Sequence, residues 1–585
     1  MSNCENRLPA IAPQTEQNNL IGKSVAGYQC WFKCGETMDR GWHHWNHATA
    51  PGRGHITFEL FPDLSEYPDE VMHDTFFDPM PDGRPTRVFH SKTQGVIDVQ
   101  FGWMKRYGIA GAAVQRFYTD ALAEDEHGVI RDDGSHLPMI RDAAERHDRL
   151  FYVMYDMSGS PHFREEIIER MKADVTGRLE AGGIVTSPAY AHADGKPVIC
   201  IWGLNSKHPQ RYPDAEIMLP LVRWLKERGY YLIGGICDDD WREDETAFGE
   251  VYRQMDMLSP WMVGRFGPAN VEAFLERQIA ADCAYCEQYG KVYQPVMYPG
   301  FAWSNWHSGR PNSIPRLSGE FLWKQAKMYA KAGIRNGYFA MFDEYDEGTA
   351  YMKAATDSCD IPTGEQYFQT LSADGQWLSS DFYLRLAGEV SRLLRGEVAL
   401  TETVAIPYSE GPIYWRNGFE RRYVGVRKHM KAPRVPEAAN VDVCEYNPTL
   451  LCAEAATLTE AGVVEGMSNT GRWSYRFFGE LEAGGTLCYQ LAETRIEAPG
   501  ALKVTFALNP QSTLGGVVTV ALRLADGSLL HCPAVEKVRH DVWQTVSHVL
   551  EVVPGTVVTG IALYVSSEEA GECAAYVDDI VVERA

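Results

Sequence analysis

From residue 25 to about 395 the chain alternates short apolar runs with amphipathic stretches. The apolar runs lie at 25–32, 109–117, 150–157, 197–204, 231–237, 258–266, 292–303 and 334–342. Such runs, bounded by Gly, Pro and Asp, read as buried strands. Between them apolar residues recur at helical spacing. Examples are Arg164-Glu-Glu-Ile-Ile-Glu-Arg-Met-Lys172, Pro220-Leu-Val-Arg-Trp-Leu-Lys-Glu-Arg228 and Ala273-Phe-Leu-Glu-Arg-Gln-Ile-Ala280. A last helix is expected near 382–394. About eight β–α units over this span predict an α/β fold, a (β/α)8 TIM barrel with enlarged loops. A doubly wound sheet would want a Gly-rich phosphate turn after an early strand, and the sequence has none.

The pattern changes twice further on. Around 396–440 it is broken by Pro407, Pro412, Pro433 and Pro436, with basic residues at Arg421, Arg422 and Lys428. This reads as a connecting segment. From about 441 alternating runs appear at 473–478, 486–491, 502–508, 517–524, 542–550, 557–565 and 575–582. With Gly and Pro turns between them, they predict an all-β sandwich of jelly-roll type. The expected division is an N-terminal extension over 1–21, the barrel over 22–395, the connecting segment over 396–440 and the sandwich over 441–585. Trp473 and Tyr475 are candidate platforms for a ligand, with a core or interface role the stronger expectation.

Residues that packing alone does not call for gather after the strands. Trp31 follows the first, then the loop Gly41-Trp-His-His-Trp-Asn-His47. Gln115, Arg116 and Tyr118 follow the second, Tyr155 and Asp156 the third, Trp202 and Asn205 the fourth. The fifth leads to Asp238-Asp-Asp-Trp-Arg242, the sixth to Trp261 and Arg265, the seventh to Trp303, Asn305, Trp306 and His307. The eighth ends in Gly337-Tyr-Phe-Ala-Met-Phe-Asp-Glu-Tyr-Asp-Glu-Gly348, where Asp343, Glu344, Asp346 and Glu347 follow an apolar run. Carboxylates buried at a strand end are costly unless paired, solvated or used. Parallel barrels place their chemistry at strand C-terminal ends. Glu344 and Glu347, three apart, can share one side of a turn. A solvated acidic turn would explain the acids by themselves; it would not explain polar and aromatic residues after all eight strands.

Composition narrows the partners. The 585 residues suffice for more than one core, and 45% hydrophobic with 23% charged content is that of a globular protein. A formal net charge of −24 argues against nucleic acid and anionic membrane. No run of about 18 apolar residues occurs, so no membrane span is expected. Met1-Ser-Asn-Cys-Glu-Asn-Arg7 lacks an apolar signal region, so a cytoplasmic location is expected for the chain as written. The 13 Cys have no framework spacing and fit a reducing compartment, with Cys200 and Cys237 as buried thiols. Cys283-Ala-Tyr-Cys286 has no second pair, so structural zinc is not expected. The 15 Trp lean towards carbohydrate, because sugars present flat C–H faces to aromatic rings.

Other chemistries lack support. His43 and His47 have i, i+4 spacing, but Trp42 and Trp45 interleave and no acid or Cys stands at ligand distance in the sequence, which favours sugar contacts or loop packing over metal. Asp238–Asp240 lacks the spacing and Gly of a calcium loop. No G-x-S-x-G follows a strand, and no P-loop is present. No metal or cofactor is expected. Two carboxyl groups at the rim of an aromatic-lined barrel fit glycosidic chemistry most simply, one protonating the leaving oxygen and the other acting as nucleophile or base. The candidate catalytic residues are Glu344 and Glu347. The candidate substrate-binding residues are Trp31, His43, His44, Trp45, Arg116, Tyr155, Asp156, Trp202, Trp241, Arg242, Arg265, Trp303 and His307.

The segment Met341-Phe-Asp-Glu-Tyr-Asp-Glu-Gly-Thr-Ala350 resembles the Glu-x-x-Glu-Gly motif of glycoside hydrolase family 99. Gly27-Tyr-Gln-Cys-Trp-Phe32, Gly41-Trp-His-His-Trp45, Tyr155-Asp-Met-Ser-Gly159, Ser259-Pro-Trp-Met-Val-Gly-Arg265, Pro299-Gly-Phe-Ala-Trp303 and Pro315-Arg-Leu-Ser-Gly-Glu-Phe-Leu-Trp323 are similar to the wider 71/99-like group. The resemblance covers about residues 22–355. It implies a (β/α)8 barrel, a retaining endo-α-mannosidase activity on an oligo- or polysaccharide, and no metal. It further implies that Glu344 deprotonates the sugar 2-hydroxyl, which attacks C1 to give a 1,2-anhydro sugar, and that Glu347 protonates the leaving oxygen and later activates water. Family 99 has a different pair where this chain has Tyr345-Asp346. The C-terminal sandwich resembles carbohydrate-associated modules. An α-glucanase like family 71, double displacement through a covalent intermediate, and a non-catalytic glycan-binding protein are the alternatives.

Overall fold

The computed structural model describes residues 8–118, 134–159, 166–205, 207–208, 210–243, 245, 247–307, 309–423, 438–442, 449–535 and 538–585. Arg164, Glu165, Lys428, Pro433, Pro436 and the N-terminal heptad read above lie outside them.

A parallel sheet forms the first core. Its strands are β1 (Ser24–Tyr28), β2 (Gly111–Phe117), β3 (Leu150–Asp156), β4 (Lys196–Leu204), β5 (Tyr231–Ile236), β6 (Met257–Pro260), β7 (Val292–Tyr293), β8 (Val296–Met297) and β9 (Gly337–Phe339). They pair in the order β7-β6-β5-β4-β3-β2-β1-β9-β8. The two end strands of that order are separated in the chain only by Gln294 and Pro295. Gln294 donates its N–H to Leu258 O at 2.9 Å, and Tyr338 donates to Pro295 O at 2.9 Å. The sheet therefore curls until its ends meet, as a barrel. The seventh apolar run, expected as one strand over 292–303, is broken because Pro295 has no N–H to give the ladder.

Helices α1 (Gln94–Tyr107), α2 (His136–His147), α3 (Ile167–Asp174), α4 (Ala215–Arg228), α5 (Ala247–Gln254), α6 (Val271–Tyr289), α7 (Glu320–Lys331) and α8 (Phe382–Arg395) lie outside the strands. The last of them closes the ring, packing between α7 and α1. Its sequence explains its place. Phe382, Leu386, Val390 and Leu393 recur at helical spacing on a buried stripe, and Gly396 at φ 76 ends the helix by donating to Arg392 and Leu393 carbonyls. Arg392 and Arg395 in the last turn suit the helix dipole. A Cβ on Gly388 would sit 2.0 Å from the carbonyl oxygen of Tyr107, so this crossing requires glycine. Truncating Leu386 to Ala would cost about 2–5 kcal/mol.

The C-terminal region is a separate antiparallel all-β domain. Strands β10 (Ile413–Asn417), β11 (Thr449–Glu465), β12 (Trp473–Glu497), β13 (Leu502–Ser512), β14 (Val517–Leu524), β15 (Leu529–His531), β16 (Gln544–Leu550), β17 (Val557–Ser566) and β18 (Gly571–Arg584) pair in the order β15-β14-β17-β12-β18-β13-β16, with β10 on β18 and β11 on β12. Their inward residues, among them Phe477, Tyr489, Phe506, Val520, Leu563 and Val577, make a second core. The two runs expected at 473–478 and 486–491 are one long strand, β12. Its register against β11 shifts twice between residues 478 and 486. Strand β10 falls within the stretch read as a connecting segment. Tyr475 is in the core and Trp473 is buried beneath Arg421, so neither offers a platform to a ligand.

The two cores are joined by buried polar groups. Trp377, which precedes α8, packs in the C-terminal core and donates its indole N–H to Asp357 at 2.7 Å. Arg416 on β10 pairs with both Asp357 and Asp360. Asp442 accepts the N–H and hydroxyl of Ser358, both at 2.6 Å.

Candidate active site

The acidic loop after β9 is pinned from several sides. Phe342 donates its N–H to Gly27 O at 2.8 Å, which carries the loop past the end of β1. The Asp343 carboxylate accepts the N–H groups of Gln29 and Cys30 at 2.8 and 2.7 Å. Glu59 and Leu60 donate to Tyr345 O, and Ala302 donates to Glu347 O at 2.9 Å. Arg316, fully buried over the Tyr383 ring, donates to the carbonyls of Gly348 and Ala350, both at 2.8 Å. Gly348 has φ 64 and a Cβ there would approach Ala302 N at 3.2 Å. The loop backbone is thus fixed, and its side chains are presented at the strand C-terminal end.

Glu344 and Glu347 share a cavity of about 680 Å³. Its walls include Gln29, Trp31, Gln115, Phe117, Asp156, Trp202, Asn205, Arg211, Tyr212, Asp239, Trp261, Arg265 and Trp306. Aromatic faces alternate with polar atoms around it. Trp31 Nε1, Trp202 Nε1 and Gln29 Oε1 are buried without hydrogen-bond partners. Such groups cost free energy in a closed protein and are suited to a ligand that carries hydroxyls.

The electrostatics of the floor are unusual. Glu344 is 5% exposed, and burial first, then the neighbouring carboxyl groups of Glu347, Asp346 and Asp343, hold its carboxyl well above the usual range, against a hydrogen bond from Thr349. Glu347 is pushed up to about 8 by burial and by Asp346, against the opposing pull of Arg211. Asp343 rises to about 7 and Asp156 to about 6, both chiefly from burial. Glu344, Glu347, Asp343 and Asp346 act on one another, and carboxyl groups held protonated towards neutral pH are what general acid–base chemistry requires.

Of the candidate substrate-binding residues, Trp31, Asp156, Trp202 and Arg265 join the two glutamates in the cavity, as do the strand-end residues Gln115, Asn205, Asp239, Trp261 and Trp306. His44 stands behind Trp31, its ring stacked at 3.7 Å and 9°, with Nδ1 2.8 Å from Asp346 Oδ2. The others lie elsewhere. Arg116 and Tyr155 point outward and both bond Asp174 in α3. Strand alternation explains this, because their neighbours Gln115 and Asp156 face inward, where the Gln115 amide donates to Asp156 at 2.7 Å. Trp45 is fully buried between Phe58, Phe89 and Phe32. Trp241 is fully buried against Tyr252 and Tyr285, and its neighbour Arg242 pairs with Asp282 of α6. His43 and His47 are exposed beside one another, and Trp303, 37% exposed, packs with His307 outside the cavity wall. Arg211 and Tyr212 escaped the sequence reading because they lie well beyond the end of β4. Gln29 escaped it because it lies inside the run read as the first strand, which in fact ends at Tyr28, and Phe117 because it ends β2 as an apolar residue. Among the described residues no group of three His, Cys, Asp or Glu side chains could hold a metal ion, and no helix is long and apolar enough to cross a membrane.

No family model matches the sequence, and no curated protein matches it. Among solved structures the chain is similar to the GH99 endo-α-mannosidase of Bacteroides thetaiotaomicron, both alone and in complex with BIS-TRIS-propane. Each shares 15% identity at a TM-score of 0.44 over 65% of this chain, and 99% and 98% of those chains respectively. It is also similar to a carbohydrate-binding module of the β-sandwich superfamily, with 18% identity and a TM-score of 0.20 over 26% of this chain and 68% of that one. Likeness at this level transfers neither substrate nor residue role.

Proposed function

We propose that this chain is a retaining glycoside hydrolase acting on an α-linked, mannose-containing glycan, with Glu344 and Glu347 as its working pair. One observation carries the reading. A buried carboxyl group, Glu344, and a half-buried one, Glu347, both with raised pKa, share the floor of an aromatic-walled cavity whose unpartnered indole N–H groups and amide oxygen suit sugar hydroxyls. The Glu-x-x-Glu-Gly resemblance supplies the roles.

Glu347 holds a proton at neutral pH and gives it to the departing glycosidic oxygen. Glu344, ionised, takes the proton of the sugar 2-hydroxyl, whose oxygen attacks C1 as the leaving oxygen departs. The product of this step is a 1,2-anhydro sugar, with the proton now on Glu344 and the charge on Glu347. Glu347 then takes a proton from water, hydroxide opens the ring at C1, and Glu344 returns its proton to the 2-oxygen. The two groups titrate as a pair, so the working state has one proton and one charge. A 2-hydroxyl donating to Glu344 favours the charge there and the proton on Glu347.

The test is hydrolysis across a panel of α-mannans and α-glucans by the full chain. Cleavage of α-mannosidic linkages with retained configuration is expected. Cleavage of α-glucans alone would move the substrate. Binding without cleavage of any member would leave a non-catalytic glycan-binding protein.

A further inference from the structure

Asp346 lies between the two glutamates in sequence and has no part in the steps above, yet it is fully buried at their side. Oδ2 sits 2.8 Å from His44 Nδ1. The other oxygen, Oδ1, has no hydrogen-bond partner, while the backbone amides of Asp346 and Glu347 bear on the carboxyl and oppose its rise. Its own loop sets Asp343, Glu344 and Glu347 around it. His44 faces His43 and His47 on its own loop and Lys92 across from it, and Arg211 faces Glu347 from the far wall. His44 is itself held firmly. It has φ 61, a conformation rare outside glycine, its carbonyl accepts the Thr57 hydroxyl, and its ring is stacked on Trp31 and edge-on to Trp306.

Three arrangements satisfy a 2.8 Å contact. One, an imidazolium donating to a carboxylate, buries two charges and is disfavoured on both sides. Two leave the imidazole neutral. In one, a carboxylate accepts from Nδ1–H, which adds a further buried charge with one orphan oxygen to a cluster already crowded with carboxyls. In the other, protonated Asp346 donates its O–H to an unprotonated Nδ1. That state carries no charge, and its single donor is satisfied. Burial disfavours ionised groups on both sides, so the uncharged pair wins. The directions agree: burial holds the Asp346 carboxyl well up and the His44 imidazole well down.

We infer that His44 is a positioning residue that keeps Asp346 as an uncharged acid, so that the charge of the cluster is left to Glu344 and Glu347. The inference rests on the hydrolase reading only for its consequence in catalysis. Without the acceptor at Nδ1 the protonated form of Asp346 loses its partner, ionises more readily, and adds a negative charge beside Glu347.

Nitrogen NMR of the full chain labelled at histidine, with the His44 signals assigned by their loss in His44→Gln, decides the pair directly. Nδ1 should be the unprotonated nitrogen and Nε2 the protonated one, with no imidazolium between about pH 5 and 8. A proton on Nδ1 in that range would overturn the inference, and this measurement needs no activity. Carbon NMR of the Glu347 carboxyl should then show its titration moved up by about one unit in His44→Phe, which keeps a ring for the Trp31 stack, and moved back in His44→Gln, which restores an acceptor. An unmoved titration in His44→Phe would equally overturn it. On a glycan that the wild type cleaves, the pH limb of kcat should follow the Glu347 titration while KM stays within about three-fold. If no glycan is cleaved while the NMR results hold, the hydrolase reading fails and the pair stands.

Discussion

Asp343 Oδ2 accepts the backbone N–H of Cys30 at 2.7 Å, and through this bond the acidic loop after β9 is tied to the end of β1. Cys30 has φ 53, a strained turn that directs the chain from β1 towards Trp31. Asp343→Ala would leave two buried amides, of Gln29 and Cys30, without acceptors. A loss of about 2–4 kcal/mol is expected in chemical denaturation of the full chain. Asp343→Asn, which keeps one acceptor oxygen, should lose less. Equal stability of wild type and the Ala variant would show that the bond holds nothing in place.

The alternation of eight apolar runs with helical stretches made the barrel legible, because buried parallel strands carry near-continuous apolar sequence. The strand-end rule then located the acids, Trp31 and Trp202. It failed where it ignored the period of two. Arg116 follows Gln115, and Tyr155 precedes Asp156, so each inward residue has an outward neighbour whose partner is Asp174 on a helix. That phase was available in the sequence. The direction of Trp241 was not, because the turn after β5 sends it under α6. Strand β11 gave no alternating signal, since along most of its length its residues are exposed or only half-buried. Arg211 was hidden by the length of the loop that brings it back to Glu347.

Glu344→Gln and Glu347→Gln should each lower kcat by about 10²–10⁴-fold with little change in KM, because the carboxyl groups act mainly in the transition state. Steady-state kinetics and binding by calorimetry check this together. Full activity in Glu344→Gln would remove that residue from the mechanism.

The general acid must be protonated to act, so activity should fall as pH rises through about 8, where Glu347 titrates. Arg211 opposes that rise with its positive charge. In Arg211→Met the Glu347 pKa should climb, and the alkaline limb of kcat/KM should move upward with it. Arg211 is exposed, so salt screens its effect and the displacement should be largest at low ionic strength. A limb that moves downward, or not at all, would place the acid elsewhere.

Asp357 receives both the Trp377 indole and the Arg416 guanidinium at the seam between the two cores. Replacing it by Ala leaves a half-buried cation paired only with Asp360 and an orphan N–H, and about 3–5 kcal/mol should be lost. The loss should be seen in signals from both regions at once in a thermal scan. If only one region unfolds earlier, the seam does not couple them.

A substrate lacking the 2-hydroxyl separates the two retaining routes. In the 1,2-anhydro route the nucleophile belongs to the sugar, so a 2-deoxy glycoside has nothing for Glu344 to deprotonate and should not turn over. In double displacement the nucleophile belongs to the protein, and the same glycoside still reacts. The two routes also differ in what the carboxyl groups must reach. Internal attack needs Glu344 near the 2-oxygen and Glu347 near the glycosidic oxygen, while double displacement needs carboxyl groups flanking the bond from opposite faces. Glu344 and Glu347 come from one turn of one pinned loop and share one cavity floor, which favours approach from a common side. A 2-fluoro glycoside with a good leaving group should therefore leave the protein unlabelled. Mass spectrometry that finds a fluoroglycosyl ester on Glu344 would assign double displacement instead, and with it a different task for Glu347.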